Sequence, residues 1–265
     1  MKYGLFLPIF GDLAEPSVVV RLAADAEAAG WDGVFVWDHT TYREPVVDIA
    51  DPWITLAAMA CATSTVRIGP MITPLPRRRP VKVAREVATL DRLSGGRLTL
   101  GVGIGGDNSG ELSGCGEQES ARTRGEMLDE SLDILAVAGS GAVLTHRGPH
   151  YVADGFAVLP RPIQPHVPVW VAARWGNPAP LRRAARHDGV FPIGLETPDQ
   201  LAELVGTVSD QRTSTGTYDV AVGGPVGRDP RPWGAAGATW WLTEFSPYTL
   251  TEHEVRAAVT AGPPT

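Results

Sequence analysis

The chain has 265 residues, 43% of them apolar and 20% charged, with a formal net charge of −7. That composition fits a globular protein with a sizeable core, and the negative balance argues against a general nucleic-acid surface. Two cysteines, Cys61 and Cys115, are too few for a disulfide framework, which makes a reducing cytoplasm the default.

Tyr3 to Ile9 is a near-continuous apolar run, as expected of a strand covered on both faces. These residues do not read as a secretory leader, and no apolar run reaches about 18 residues, so neither an export signal nor a membrane span is expected. Val18 to Gly30 carries Val19, Leu22, Ala23, Ala26 and Ala29 at helical spacing, and Gly30 stops it. Gly33 to Trp37 is a second strand, ending in Asp38-His39. Asp51 to Ala62 reads as a helix capped by Asp51 with Pro52 at its first position. The third strand is Val66 to Thr73. It leads through a Pro- and Arg-rich turn to a helix from Pro80 to Leu93, whose Val83, Val87, Leu90 and Leu93 form one face. Gly95-Gly96 ends that helix, and Leu98 to Val102 is the fourth strand. Of the two cysteines, Cys61 lies among apolar residues and is assigned to the core, and Cys115 to a Gly-rich loop.

Ser120 to Ala138 is the longest helix. The irregular stretch 139–166, rich in Pro and Gly, holds a small hairpin. Val167 to Ala173 is the fifth strand, followed by Arg174 and a helix beginning at Asn177-Pro178. Gly189 to Ile193, Tyr218 to Val222 and Ala238 to Leu242 complete eight strands, separated by a helix at Pro198 to Arg212 and a short Pro-rich link at Asp229 to Trp233. Thr251 to Ala261 is the last helix. Regular strand–helix alternation implies a parallel sheet, closed or open, and with no linker or repeat the economical reading is one domain over residues 1–265.

The fourth strand ends in Gly101, Gly103, Gly105 and Gly106, where backbone could approach a ligand. Gly101, Gly103 and Gly106 formally match G-x-G-x-x-G, the mark of an NAD-linked dinucleotide fold. That fold requires a helix next, whereas Asp107-Asn108-Ser109-Gly110 reads as loop. No histidine and carboxylate pair sits at metal-ligand spacing on a helix and no C-x-x-C occurs, so no metal is expected. His39 suits a proton donor or anion stabiliser, which Asp38 could orient, although a strand-end histidine touching only water has the same signature. Arg174 with the helix start after it suits a phosphate. The run Arg77-Arg78-Arg79 reads as a solvated turn.

The phrase from Ile68-Gly69 through Leu75-Pro76 and Arg79-Pro80 to Ala88-Thr89-Leu90-Asp91-Arg92-Leu93-Ser94-Gly95-Gly96-Arg97, then Leu100-Gly101-Val102-Gly103, resembles the luciferase-like monooxygenases and their deazaflavin-dependent relatives. The resemblance implies a (β/α)8 TIM barrel of the bacterial-luciferase-like type, with an insertion around 139–166. It implies FMN or coenzyme F420 as cofactor, a small-molecule substrate, a separate flavin reductase in the FMN case, and a homodimer. It makes Asp38 and His39 the catalytic candidates and places a cis peptide at Met71-Ile72. The candidate cofactor-binding residues are then Met71, Ile72, Gly103, Gly105, Gly106, Arg174, Trp175 and Gly176.

Two positions depart from the deazaflavin pattern. A Glu expected directly after the Gly-x-Gly is Gly106 here, with Asp107 one residue late, and a Trp expected four residues after the histidine is Arg43. The luciferase-type cysteine is replaced by Gly103. A flavin- or deazaflavin-dependent oxidoreductase or monooxygenase is therefore the expected activity. A non-catalytic flavin-binding barrel and the NAD-linked Rossmann enzyme are the alternatives.

Overall fold

The computed structural model describes residues 1–264. The elements run β1 (Lys2–Leu7), α1 (Pro16–Ala28), β2 (Gly33–Val36), α2 (Pro52–Ala62), β3 (Arg67–Pro70), β4 (Thr73–Pro74), α3 (Pro80–Leu93), β5 (Leu100–Gly103) and α4 (Ala121–Ser140). After these come the hairpin β6 (Val143–Arg147) and β7 (Val152–Ala157), then β8 (Val169–Arg174), α5 (Pro178–Ala184), β9 (Gly189–Ile193) and α6 (Pro198–Gln211). The chain ends with β10 (Asp219–Pro225), α7 (Arg231–Ala235), β11 (Trp240–Glu244) and α8 (Glu252–Ala261).

The parallel sheet runs β3-β2-β1-β11-β10-β9-β8-β5-β4. Its two ends meet. Ile68 bridges Leu98, Thr99 N–H donates to the Ile68 carbonyl, and β4 pairs with β5 through Thr73 and Val102. β3 and β4 are thus one strand interrupted at Met71-Ile72, and the eight strands close into a barrel ringed by helices. Closure removes the open sheet that a Rossmann enzyme needs, and residues 107–112 form a loop and not a helix start. The insertion is the antiparallel pair β6–β7, whose turn falls before Tyr151, so Asp154-Gly155 lies within β7. No helix among the described residues is long and apolar enough to cross a membrane.

Two cores follow from strand alternation. Side chains pointing outward, such as Leu5, Leu7, Val34 and Val36, join the helices in the main core. Those pointing inward form an aromatic interior of Phe6, Phe35, Trp170, Phe191 and Trp240. Inward glycines make space for it: a Cβ on Gly189 would lie 2.5 Å from Trp170, and one on Gly33 2.9 Å from Phe35. At the amino end, Asp219 accepts hydrogen bonds from the Trp170 and Trp240 indoles at 3.2 and 3.1 Å and closes the floor.

Two sequence expectations fail for identifiable reasons. Cys61 is exposed, because α2 buries the face bearing Trp53, Leu56, Met59 and Ala60 and Cys61 lies beside it. Leu93 is 46% exposed, while Asp91 is fully buried. Asp91 accepts the backbone N–H groups of Ile163 and Gln164 at 2.8 and 2.9 Å, so it anchors the segment returning from the insertion.

Arg97 forms the other buried polar tie. Its guanidinium donates to the carbonyls of Ser94, Val66, Ala60 and Thr63 and to the Thr63 hydroxyl, at 2.6 to 3.0 Å. Arg97→Ala strands these acceptors, each costing roughly 1–3 kcal/mol when buried without a partner. Urea unfolding of this variant should show a stability loss on the order of 3 kcal/mol or more; an unchanged midpoint would contradict the tie.

Candidate active site

The carboxyl ends of the strands surround a cavity of about 1020 Å³, lined by Phe6, Trp37, His39, Tyr42, Met71, Ile72, Phe191, Ile193 and Glu244, among others. In this fold that end carries the chemistry. His39 extends from the end of β2 into an aromatic collar, with ring centroids of Tyr42, Trp37 and Phe10 at 5.0, 5.8 and 5.9 Å. Its Nδ1 lies 2.9 Å from Glu111 Oε2. An ionised carboxylate only accepts, so the network assigns the proton to Nδ1. Nε2 has no hydrogen-bond partner among the described residues and the ring lines the cavity, leaving Nε2 for a bound molecule.

Glu111 reaches this position from the loop after β5. Its Oε1 accepts from Thr40 N–H at 2.7 Å and from Arg77 Nη1 at 2.6 Å. The carboxyl is almost fully enclosed. Burial would raise its pKa, but the His39 ring, the Thr40 N–H and the Arg77 guanidinium together outweigh burial and hold it below the usual carboxylate range.

Asp38 does not orient His39. It turns to the opposite side, where Arg78 Nη2 donates to both its oxygens at 2.8 and 3.0 Å, Arg77 approaches at 3.4 Å and the Thr73 hydroxyl donates to it. The arginine run is accordingly solvated only at Arg79: the Arg77 side chain is 7% exposed, buried between Asp38 and Glu111, and Arg78 is half-buried. The expectation failed because a cationic run shows its sign in sequence, whereas its two acidic partners lie 34 or more positions away.

The Met71–Ile72 peptide is cis, and both residues line the cavity. Gly103 leaves room for the protein itself, since a Cβ there would lie 2.1 Å from Ile72 Cδ1. Gly105 adopts φ +72° against Pro74. Gly106 borders the cavity, and a Cβ there would meet nothing within 4 Å. Asp107 spends its carboxylate on the Leu112 and Ser113 N–H groups, at 2.7 and 3.1 Å. That local turn brings Glu111 back over His39. Sequence reasoning missed Glu111 because it sits in an aperiodic loop, 72 positions from its partner.

Arg174 borders the far side of the cavity, and its guanidinium has no hydrogen-bond partner among the described residues. The other cations there are engaged: Arg43 with the Asn108 carbonyl, Arg122 with Glu126 and Arg183 with Asp129. The start of α5 offers little backbone to an anion, because Pro178 has no N–H and the Asn177 side chain accepts from Ala179 N. Trp175 packs on the main core, and Gly176 turns the chain at φ +77°.

Residues 1–230 match the luciferase-like monooxygenase family, and the chain belongs to it. An uncharacterised protein of Mycobacterium tuberculosis is 30% identical over 190 residues, covering 65% of each chain, so this chain spans about two thirds of that relative's length. An F420-dependent glucose-6-phosphate dehydrogenase of Beutenbergia cavernae is 32% identical over 240 residues, covering 81% of this chain and 68% of the relative. Among solved structures, a monooxygenase from Streptomyces bottropensis superposes with a TM-score of 0.79 at 20% identity, covering 98% of this chain and 96% of that one, which shows the same barrel fold.

The depressed pKa of Glu111 has a stability consequence. The ionised form is favoured by folding, so its contribution is complete above the ordinary value of 4.5 and fades as pH falls through the lower folded value. Glu111→Gln should therefore be less stable than the wild type at neutral pH, with the gap narrowing in acid. A gap that stays constant in urea titrations across that range would contradict the ionised assignment.

Proposed function

We propose that this chain is an oxidoreductase that uses a flavin-type cofactor, coenzyme F420 in the first instance, to exchange a hydride with a small organic molecule. The observation that carries the reading is His39, held by Glu111 through Nδ1 on the wall of a cavity of this size, with Nε2 unpartnered among the described residues. The cavity fits such a group. Its volume, about 1020 Å³, lies at the top of the usual range of about 300–1,000 Å³ for small-molecule sites. The Trp37 indole Nε1 on its wall is buried without a partner, a donor that a bound polar ring would satisfy. Arg174 is a cation unpaired among the described residues, available for an acidic tail. The curated relatives named as F420-dependent favour the deazaflavin over FMN.

In this reading Met71, Ile72, Gly105, Gly106 and Trp37 border the ring and Arg174 meets a phosphate, with Gly176 turning the chain beside it. The cofactor, when bound, supplies the two-electron chemistry. The protein's own residues supply position and a proton. His39 holds or delivers a proton at Nε2, Glu111 fixes the ring's orientation and tautomer, and Arg77 with Thr40 holds Glu111. Asp38 acts by holding Arg77 and Arg78. The proposal includes a cytoplasmic location and a pairing of two copies; with FMN it would add a separate flavin reductase.

Fluorescence titrations with oxidised coenzyme F420, FMN and NADPH test this reading. Tight binding of the deazaflavin is expected. His39→Ala should keep that affinity within about threefold yet lower turnover with a panel of alcohols and carbonyls by about 10²-fold or more, the usual share of a general acid. Binding of FMN alone would reassign the cofactor, binding without turnover would leave a flavin-binding barrel, and binding of neither would overturn the proposal.

A further inference from the structure

Glu244 is a carboxyl that the arrangement above does not use. It ends β11 on the same face as Trp240 and Leu242, which belong to the barrel's interior cluster, so strand alternation turns Glu244 inward, onto the cavity wall. In register it stands between Phe6 and Pro225. No hydrogen-bond or ion-pair partner reaches it among the described residues. Its room comes from Gly223, where a Cβ would lie 1.9 Å from Oε1.

The surroundings explain its state. Burial raises the Glu244 pKa to about 7, and Arg228 is the charged group whose field opposes this. Arg228 is not a salt-bridge partner; its guanidinium stacks 4.9 Å above the Trp233 ring. Arg174, the lining cation without a partner among the described residues, stands on β8, which is separated from β11 by β9 and β10. The wall carrying Glu244 is otherwise aromatic, through Phe6, Trp37 and Phe191.

We propose that the substrate is an uncharged, largely apolar molecule bearing a carbonyl or hydroxyl oxygen, and that Glu244 holds that oxygen. This rests on the oxidoreductase reading and names the substrate class of the same site. A protonated Glu244 donates to a carbonyl, and an ionised one accepts from a hydroxyl. A phosphate ester seated here would face a carboxyl with no cation between them, so the site should reject sugar phosphates.

Cyclohexanone, cyclohexanol and cyclohexyl phosphate serve as matched probes. Their binding to the cofactor-loaded protein is measured at about one pH unit on either side of the Glu244 value of about 7. The carboxyl resonance of Glu244 is followed in ¹³C-glutamate-labelled protein, assigned with Glu244→Gln. Cyclohexanone should bind several-fold more tightly on the acid side and move the Glu244 resonance, and the phosphate ester should bind about tenfold more weakly than the ketone or less well still on the alkaline side, where it faces an ionised carboxyl of like charge. Glu244→Gln, which keeps a donor, should bind the ketone without pH dependence. Gly223→Ala, which displaces the carboxyl, should lose the ketone preference while the acid remains. Equal binding of ketone and phosphate ester, an unmoved resonance, or no probe binding to a protein that binds its cofactor would overturn the proposal. Failure to bind the cofactor at all would instead overturn the oxidoreductase reading.

Discussion

Arg77 lies between two carboxylates at the mouth of the barrel, and the geometry of the site depends on that arrangement. One arm of its guanidinium meets Glu111, and the other meets the backbone and side chain of Asp38. Arg78 completes a cluster of two cations and two anions. All but Arg78 are nearly excluded from water. Such a cluster holds because each charge has hydrogen-bonded partners, and removing one member of a buried pair costs about 3–5 kcal/mol by leaving the other exposed to a low-dielectric interior. The cluster joins the loop after β2, the turn after β4 and the loop after β5. Three segments that a barrel would otherwise leave mobile are fixed to one another, and His39 is fixed with them.

The barrel interior prepares the same site from below. Large aromatic rings fill the inner layers, and glycines opposite them supply the space. At the carboxyl end the filling stops and a cavity begins. The change falls where β3 gives way to β4 and where Gly103 admits the Ile72 side chain. The inward side chains that reach this level, Trp37, Ile193 and Glu244, are therefore wall residues and not core, and the carboxyl of Glu244 stands without a partner among the described residues.

Much of the barrel is legible in the sequence. Parallel strands covered on both faces read as apolar runs, as in Tyr3 to Ile9 and Gly33 to Trp37, and helices such as the one from Pro80 announce themselves by spacing and a leading proline. What resists reading is whatever depends on partners distant in the chain. Asp91 lies outside the apolar face formed by Val83, Val87, Leu90 and Leu93, yet it is buried because two backbone N–H groups from the insertion need an acceptor. Arg77 and Arg78 read as a solvated turn, yet the Arg77 side chain is buried and that of Arg78 half-buried because Asp38 and Glu111 arrive from other loops. His39 is legible as a strand-end histidine, whereas its partner Glu111 is not, since a loop carries no periodicity from which a side chain's direction follows. Asp38, adjacent in sequence, is the more obvious partner and the structure turns it away.

The most direct test of the account is a crystal structure of the protein with oxidised coenzyme F420. The account predicts the ring in the cavity with His39 Nε2 within contact distance of it, the Nδ1–Glu111 bond intact, and the acidic tail toward Arg174. A cofactor bound outside this cavity, or a His39 ring turned away from Glu111 in the complex, would contradict it.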